Sequence, residues 1–351
     1  MARPYSQFLT SLMLLLVSGV AFAVGTPSNT TVINDVTVDH EISGVAQVTQ
    51  SASVQFRVDN RVDLSIGVTN DTVSPSQLNQ VITFVIVNEG NTPQGYALTA
   101  SNSTVADDFN MNNVRLYIET GAVAGFDVTD TLYISGSGNN AGDLDPNSSV
   151  PGDDTMTVYL VADVPPAGGG SAPLDAQNAR YDLLVTTLNA GTNTVTPGSN
   201  AILWNPNTVQ AVFTEGSAGP HASDALNDGE HSATGVYSVN APAVSFVKSA
   251  TISDLLGGST PSDGATITYS LQVSVSGSGS VDNVIITDAI PANTTYVSNS
   301  LTLNAGSLSD AADADEGDFN ISNANNITVD LGTLNNASGN QTITFSVTIN
   351  P

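Results

Sequence analysis

The chain has 351 residues, enough for two or three domains, and sets 33 acidic against 6 basic side chains for a formal charge of −27. So few Lys and Arg argue against nucleic acid and anionic membrane surfaces as partners, since both recruit clustered positive charge. There is no Cys, which excludes disulfides, thiolate metal sites and Cys nucleophiles, and only three His (His40, His221, His231) are present for zinc or imidazole chemistry.

Residues 1–23 read as a secretory signal peptide. Arg3 supplies the basic start, Phe8 to Phe22 the apolar run, and Ala21-Phe22-Ala23 the small-x-small cleavage site. The apolar run is shorter than the roughly 20 residues that span a bilayer. The mature protein is therefore expected to be secreted, at the cell surface or beyond, without membrane insertion of its own. Lacking Cys, it must be held by packing alone.

Residues 24–60 form a leader with strand character. Residues 61–240 form a middle region of short alternating runs rich in Val, Ile, Thr, Tyr and Phe: Val81 to Val87, Asn113 to Ile118, Thr155 to Ala162 and Arg180 to Leu188. Gly, Asn, Asp, Ser and Pro clusters separate them, and Gly168 to Gly170 marks a loop tip. This is the pattern of an all-β sandwich rather than of βαβ units. Ala241-Pro242-Ala243 reads as a linker into residues 241–351, a final domain of ordinary size. Its strands are predicted at Val244 to Ser253, Thr266 to Val275, Val281 to Asp288, Thr295 to Leu303, Ile327 to Leu331 and Ile343 to Ile349.

Several segments of this last domain carry a family resemblance. They are Val247-Lys248, Ile267-Thr268-Tyr269, Val284 to Asp288 followed by Ile290-Pro291, Tyr296-Val297-Ser298 and Leu331 to Leu334. Together they resemble a conserved repeat domain of unknown function, the eleventh family of that series, found in tandem on bacterial and archaeal surface proteins. The resemblance covers about a third of the chain. It implies tandem immunoglobulin-like sandwiches on an extracellular protein, here with an N-terminal strand extension, and no catalytic residues.

Members of that family continue past the strand matching Phe345 to Ile349 into one more strand, whereas this sequence ends at Asn350-Pro351. The resemblance thus implies an unfinished sandwich with an acceptor edge at Phe345, Val347 and Ile349. The leader holds a segment similar to the missing strand. Val32, Val36, Val38 and Ile42 share one face, and Thr31, Asp35, Thr37, Asp39 and Glu41 the other. Burying four such aliphatic side chains is worth about 6 to 12 kcal/mol gross. This predicts a homopolymer assembled head to tail, the N-terminal strand of one copy completing the C-terminal domain of the next. Two alternatives stand beside it: the leader strand pairs within its own chain, in the middle region, or the last domain is complete with six strands.

Asp310, Asp313, Asp315, Glu316 and Asp318 crowd five carboxylates into one loop. The loop suits either calcium, which takes several hard oxygen ligands, or plain solvation; the EF-hand pattern is absent because no Gly falls at its sixth position. Glu119, Asp127 and Asp130 are a lesser candidate. Asp224, Asp228 and Glu230 beside His231 are expected to be solvated. Paired carboxylates alone do not make a glycosidase. Aromatics are only 6% of the chain, and the single Trp, Trp204, reads as a packing residue. The sequence therefore predicts a non-enzymatic subunit of an extracellular filament or surface matrix, with a monomeric adhesin or glycan-binding module as the rival reading.

Overall fold

The computed structural model describes residues 25–121, 123–134, 139–166, 173–199 and 205–351. The predicted signal peptide at residues 1–23, the predicted Gly168 to Gly170 tip and Trp204 lie outside the described residues. The described residues contain strands and turns and one 3-10 turn at Asn336–Ser338, with no helix long and apolar enough to cross a membrane.

The leader folds as a two-stranded ribbon. Strands β1 (Thr31–Val38) and β2 (Gln50–Arg57) pair antiparallel from Thr31↔Arg57 to Val38↔Gln50. Beyond a register shift, Glu41–Ile42 pairs with Val45–Ala46 across a two-residue turn. Ser43 and Gly44 occupy that turn at φ 52 and 77. Both central residues in the left-handed region make this the hairpin turn whose twist matches the flanking strands.

The middle domain has two five-stranded sheets around one core. Its strands are β3 (Leu64–Thr69), β4 (Asp71–Val73), β5 (Gln80–Asn88), β6 (Gln94–Asn102), β7 (Asn112–Ile118), β8 (Thr131–Tyr133), β9 (Asp143–Leu144), β10 (Thr155–Asp163), β11 (Asn178–Asn189) and β12 (Glu230–Val239). One sheet runs β8-β7-β10-β5-β3 and the other β9-β6-β11-β12-β4. Alternate residues of the two sheets meet inside: Ile82, Phe84 and Ile86 from β5 and Val158 and Leu160 from β10 pack against Leu98, Leu183, Val185 and Tyr237 of the facing sheet. A buried tyrosine needs a partner for its hydroxyl, and Tyr237 donates to the carbonyl of Leu160 at 2.6 Å. Gly235 lets β12 approach closely, since a Cβ there would lie 2.6 Å from Ile82 Cγ2.

The last domain repeats the plan on a smaller scale. Its strands are β13 (Ala243–Ser253), β14 (Thr266–Ser276), β15 (Ile285–Ala289), β16 (Thr294–Tyr296), β17 (Thr302–Leu303), β18 (Gly306–Ser307), β19 (Gly317–Phe319), β20 (Asn326–Asp330) and β21 (Gln341–Ile349). One sheet runs β13-β14-β21-β17-β18 with β16 also on β21, and the other β15-β20-β19. The single strand predicted at Val281 to Asp288 is divided: Ser280–Val281 pairs with Leu334–Asn335, and Asn283 at φ 55 turns the chain before β15.

The linker is held from the side. Asp175 accepts from Ala241 N at 3.0 Å and from Ser278 N at 3.0 Å, so one carboxylate ties the end of the middle domain to the β14 turn. The Ala241 N–H and the Ser278 hydroxyl and N–H hold the Asp175 carboxyl below the usual range.

Candidate functional site: an exposed arm and an open sheet edge

The ribbon projects as an arm. Every residue of β1 and β2 is exposed except Phe56, which is half-buried. Cross-strand partners share a face. The register therefore sets Val32 beside Phe56, Asn34 beside Val54, Val36 beside Ala52 and Val38 beside Gln50 on one side. The opposite side pairs Ile33 with Gln55, Asp35 with Ser53 and Thr37 with Ser51. One face is thus largely apolar, yet Val36 is 56% and Val54 58% exposed. A strand pair ordinarily hides such a face in a core.

The arm is anchored at its base. Asn91, itself buried, donates from Nδ2 to the carbonyls of Thr26 and Asp59, at 3.1 and 3.0 Å, and accepts from Arg61 N at 2.8 Å. Both ends of the arm are thereby clamped to one side chain of the middle domain. Arg57 N adds a bond to the carbonyl of Pro206 at 3.0 Å.

Two sequence expectations are corrected here. The leader strand does pair within its own chain, but with β2 of the leader and not with the middle region. The β2 segment QSASVQFR alternates Ala52, Val54 and Phe56 with polar residues, a strand-like pattern within the leader. The acceptor edge is not at Phe345, Val347 and Ile349. Their strand, β21, is interior to its sheet, paired with β14 on one side and with β16 and β17 on the other. Phe345 and Val347 are fully buried. Alternation revealed which face of β21 is apolar but not where the strand sits in the sheet.

The open edges are elsewhere, at β13 and β15. β13 pairs only with β14, and its register puts Val244 opposite Val275, Phe246 opposite Val273 and Lys248 opposite Leu271. Those three β14 residues are buried, so Val244, Phe246 and Lys248 stand on the inner face of the sheet. Phe246 is nevertheless 51% exposed, because the facing sheet ends at β15. On β15 the bonds to the β20 side come from alternate residues: Val284 N to Gly332 O at 2.9 Å, and Ile290 N to Asn325 O at 3.0 Å. The main-chain groups of Ile285, Thr287 and Ala289 therefore point outward. Lys248 Nζ reaches Asp288 Oδ2 at 2.6 Å across the two sheets and lies 4.7 Å from the centre of the Tyr269 ring. The result is a cleft between β13 and β15, floored by Val273, Val275 and Ile286.

The acidic loop has its own internal order. Asp310 accepts from the Tyr296 hydroxyl at 2.6 Å and Asn299 N at 2.8 Å. Asp313 accepts from Ser309 Oγ at 2.8 Å and Asp315 N at 3.0 Å, and Asp315 from Ser309 N at 2.7 Å and Gly317 N at 3.0 Å. Asp318, buried, accepts from Ile321 N and Ser322 N at 3.1 and 3.0 Å. Glu316 is exposed. Burial opposes the charge of Asp318, but these N–H donors outweigh it and hold the carboxyl below its usual range. Burial and the bond to Asp310 push Tyr296 up to about 12. The lesser candidate is similarly occupied: Glu119 takes Gly121 N and the Tyr159 hydroxyl, Asp127 takes Thr129, and Asp130 takes Thr120 N and Asp127 N. Among the described residues, no three His, Asp or Glu side chains converge in a way that could hold a metal ion.

The loop at residues 215–232 differs from its expected solvation. Asp224 is buried and accepts from Ser232 Oγ at 2.7 Å, with His231 Nδ1 at 3.7 Å from the same oxygen. Glu215 is 1% exposed and accepts from Gly229 N at 2.6 Å. Sequence reasoning missed Glu215 because it stands alone, with no cluster to mark it.

No family model and no curated protein matches the chain. Among solved structures it is similar to a membrane-anchored protein of Corynebacterium diphtheriae, at 9% identity and a TM-score of 0.21, over 92% of this chain and 89% of that one. It is also similar to the CsuC–CsuE chaperone–tip adhesion subunit pre-assembly complex of the archaic Csu pili of Acinetobacter baumannii, at 10% identity and a TM-score of 0.21, over 82% of this chain and 94% of that one. At TM-scores this low neither likeness carries an argument about function.

Proposed function

We propose that the chain is a non-enzymatic, exported subunit of an extracellular filament or surface matrix. In this reading its two sandwiches are immunoglobulin-like, in keeping with the repeat family that the last domain resembles, and subunits join head to tail through the N-terminal arm. One observation carries the proposal: the arm has formed its strand pairing yet leaves its apolar face in water, as an element made to be covered by something else would. An unpaired, long edge is a template for another chain, and the last domain offers such edges at β13 and β15. The scarcity of Lys and Arg suits an exposed material, since it leaves few sites for trypsin-like proteases.

Negative-stain electron microscopy of the mature protein, with and without residues 24–58, tests the reading. About 0.15 M salt should be present, because it shortens the range of self-repulsion to about 8 Å. Polymers are expected from the intact mature chain and are expected to vanish on deletion of the arm. An intact chain that stays a monodisperse monomer at all concentrations would overturn the reading, and a monomer that binds a glycan array would replace it with an adhesin.

A further inference from the structure

We infer that the arm docks as a two-stranded hairpin into the cleft between β13 and β15 of a second copy, its apolar face covering Val244 and Phe246. This rests on the assembly reading above and names the acceptor within it. The β15 edge offers the outward main-chain groups of Ile285, Thr287 and Ala289 to an incoming strand, the ordinary way an extended segment augments a sheet. Beside that edge the inner face of β13 leaves Val244 and Phe246 half-exposed over a buried floor. The hairpin presents Val32, Val36 and Val38 on β1 and Ala52 and Val54 on β2 as one surface, so both strands have apolar side chains to contribute.

The occupant is a second copy because the same chain carries both halves and leaves both unsatisfied. The arm is clamped at its base to the middle domain through Asn91, and the last domain is tied to the far end of that domain through Asp175. Val54 and Phe246 of one molecule consequently remain open together, at 58% and 51% exposure. The arm pairs eight residues on each strand, enough to run the five residues of β15 from end to end. The face that docks carries no charge: Asp35 stands on the opposite side of the arm, and Lys248 stays paired with Asp288.

The test uses the full mature chain with paired substitutions on the same strands. Phe246→Glu on the inner face and Val54→Glu on the second arm strand are each expected to cut the sedimenting polymer at least tenfold. Val247→Glu and Gln55→Glu, on the opposite faces, are expected to leave it unchanged. All four positions are exposed or nearly so, and an unaltered melting curve confirms folding. Because the chain has no Cys, Thr287→Cys in one preparation and Ile33→Cys, Asp35→Cys or Thr37→Cys in another should give an interchain disulfide on mixing. Polymers that need the arm but tolerate both Phe246→Glu and Val54→Glu would overturn this site while leaving arm-driven assembly standing. Loss with Val36→Glu but not with Val54→Glu would overturn the hairpin form in favour of a single strand. Absence of any polymer from the unaltered chain would remove both proposals.

Discussion

The arm and the middle domain are written in the same alphabet and end in opposite environments. β5 and β1 both set apolar residues at alternate positions on one face, yet Ile86 is fully buried while Val36 is 56% exposed. The difference lies in what each strand can reach. β5 lies between β10 and β3 in its sheet, with the second sheet across the core. β1 has one neighbour, β2, and nothing packed on its apolar face among the described residues. Alternation thus marks a face that wants burial, and topology decides whether the same molecule supplies the cover.

Substitution should separate the two regions most sharply. Phe84→Ala removes a fully buried ring at the centre of the middle core and is expected to cost about 3–5 kcal/mol in urea unfolding. Val36→Ala removes a side chain already in water and is expected to change stability by no more than about 0.5 kcal/mol, while reducing polymer yield. Equal losses from the two would mean that the arm is packed against its own chain in solution, and the contrast would collapse.

The same contrast explains what the sequence made legible. The strands at Val81 to Val87, Thr155 to Ala162, Arg180 to Leu188 and Thr266 to Val275 were readable because each has β-branched or aromatic residues at period two and Gly or Asn turns at its ends. β2 alternates too, with Ala52, Val54 and Phe56 on one face, but nothing local names its partner, which the Ser43-Gly44 turn and β1 supply. The misplaced acceptor edge has a different cause. Phe345, Val347 and Ile349 announce a strand, but neighbour order within a sheet depends on contacts far apart in sequence, and no local signal carries it. The cleft was partly visible in Val244, Phe246 and Lys248, which read only as a first strand until the register placed them opposite buried β14 residues. Glu215 gave no sign of burial, since an isolated acid in a loop normally stays in water.

Titration sharpens the comparison from the side of the middle domain. Burial raises Glu215, against the lowering bond from Gly229, and raises Asp63, against the nearby Arg61 charge. A carboxyl raised on folding binds its proton more readily in the folded state. Its contribution is fully present below the unfolded value and is lost as pH rises through the folded one. Asp163 is the reverse case: its bond from Asn113, then the N–H of Asn79 and the Arg115 charge, lower it despite some burial. Its contribution is present above the ordinary carboxylate value and is lost as pH falls through its own lower one. The urea midpoint is therefore expected to rise modestly as pH falls from neutrality towards the ordinary carboxylate range, and to fall again below that range. Glu215→Gln should flatten the rise and leave the acid limb intact. A rise of full size in that variant would assign the effect to another group.

The smallest effect is expected at the acidic loop. Calcium binds where several oxygens converge without other partners. Here Asp310, Asp313, Asp315 and Asp318 each already accept two N–H or O–H donors, and only Glu316 faces solvent without such a pair. A cation would have to displace those donors, and the exchange would return little net stability. Heating the mature protein in chelator and then in millimolar calcium is therefore expected to move the melting temperature by less than about 2 °C, under 1 kcal/mol for a domain of this size. A shift of several degrees would mean that the loop reorganises around the ion. It would make the loop, like the arm, a segment whose final partner lies outside the chain.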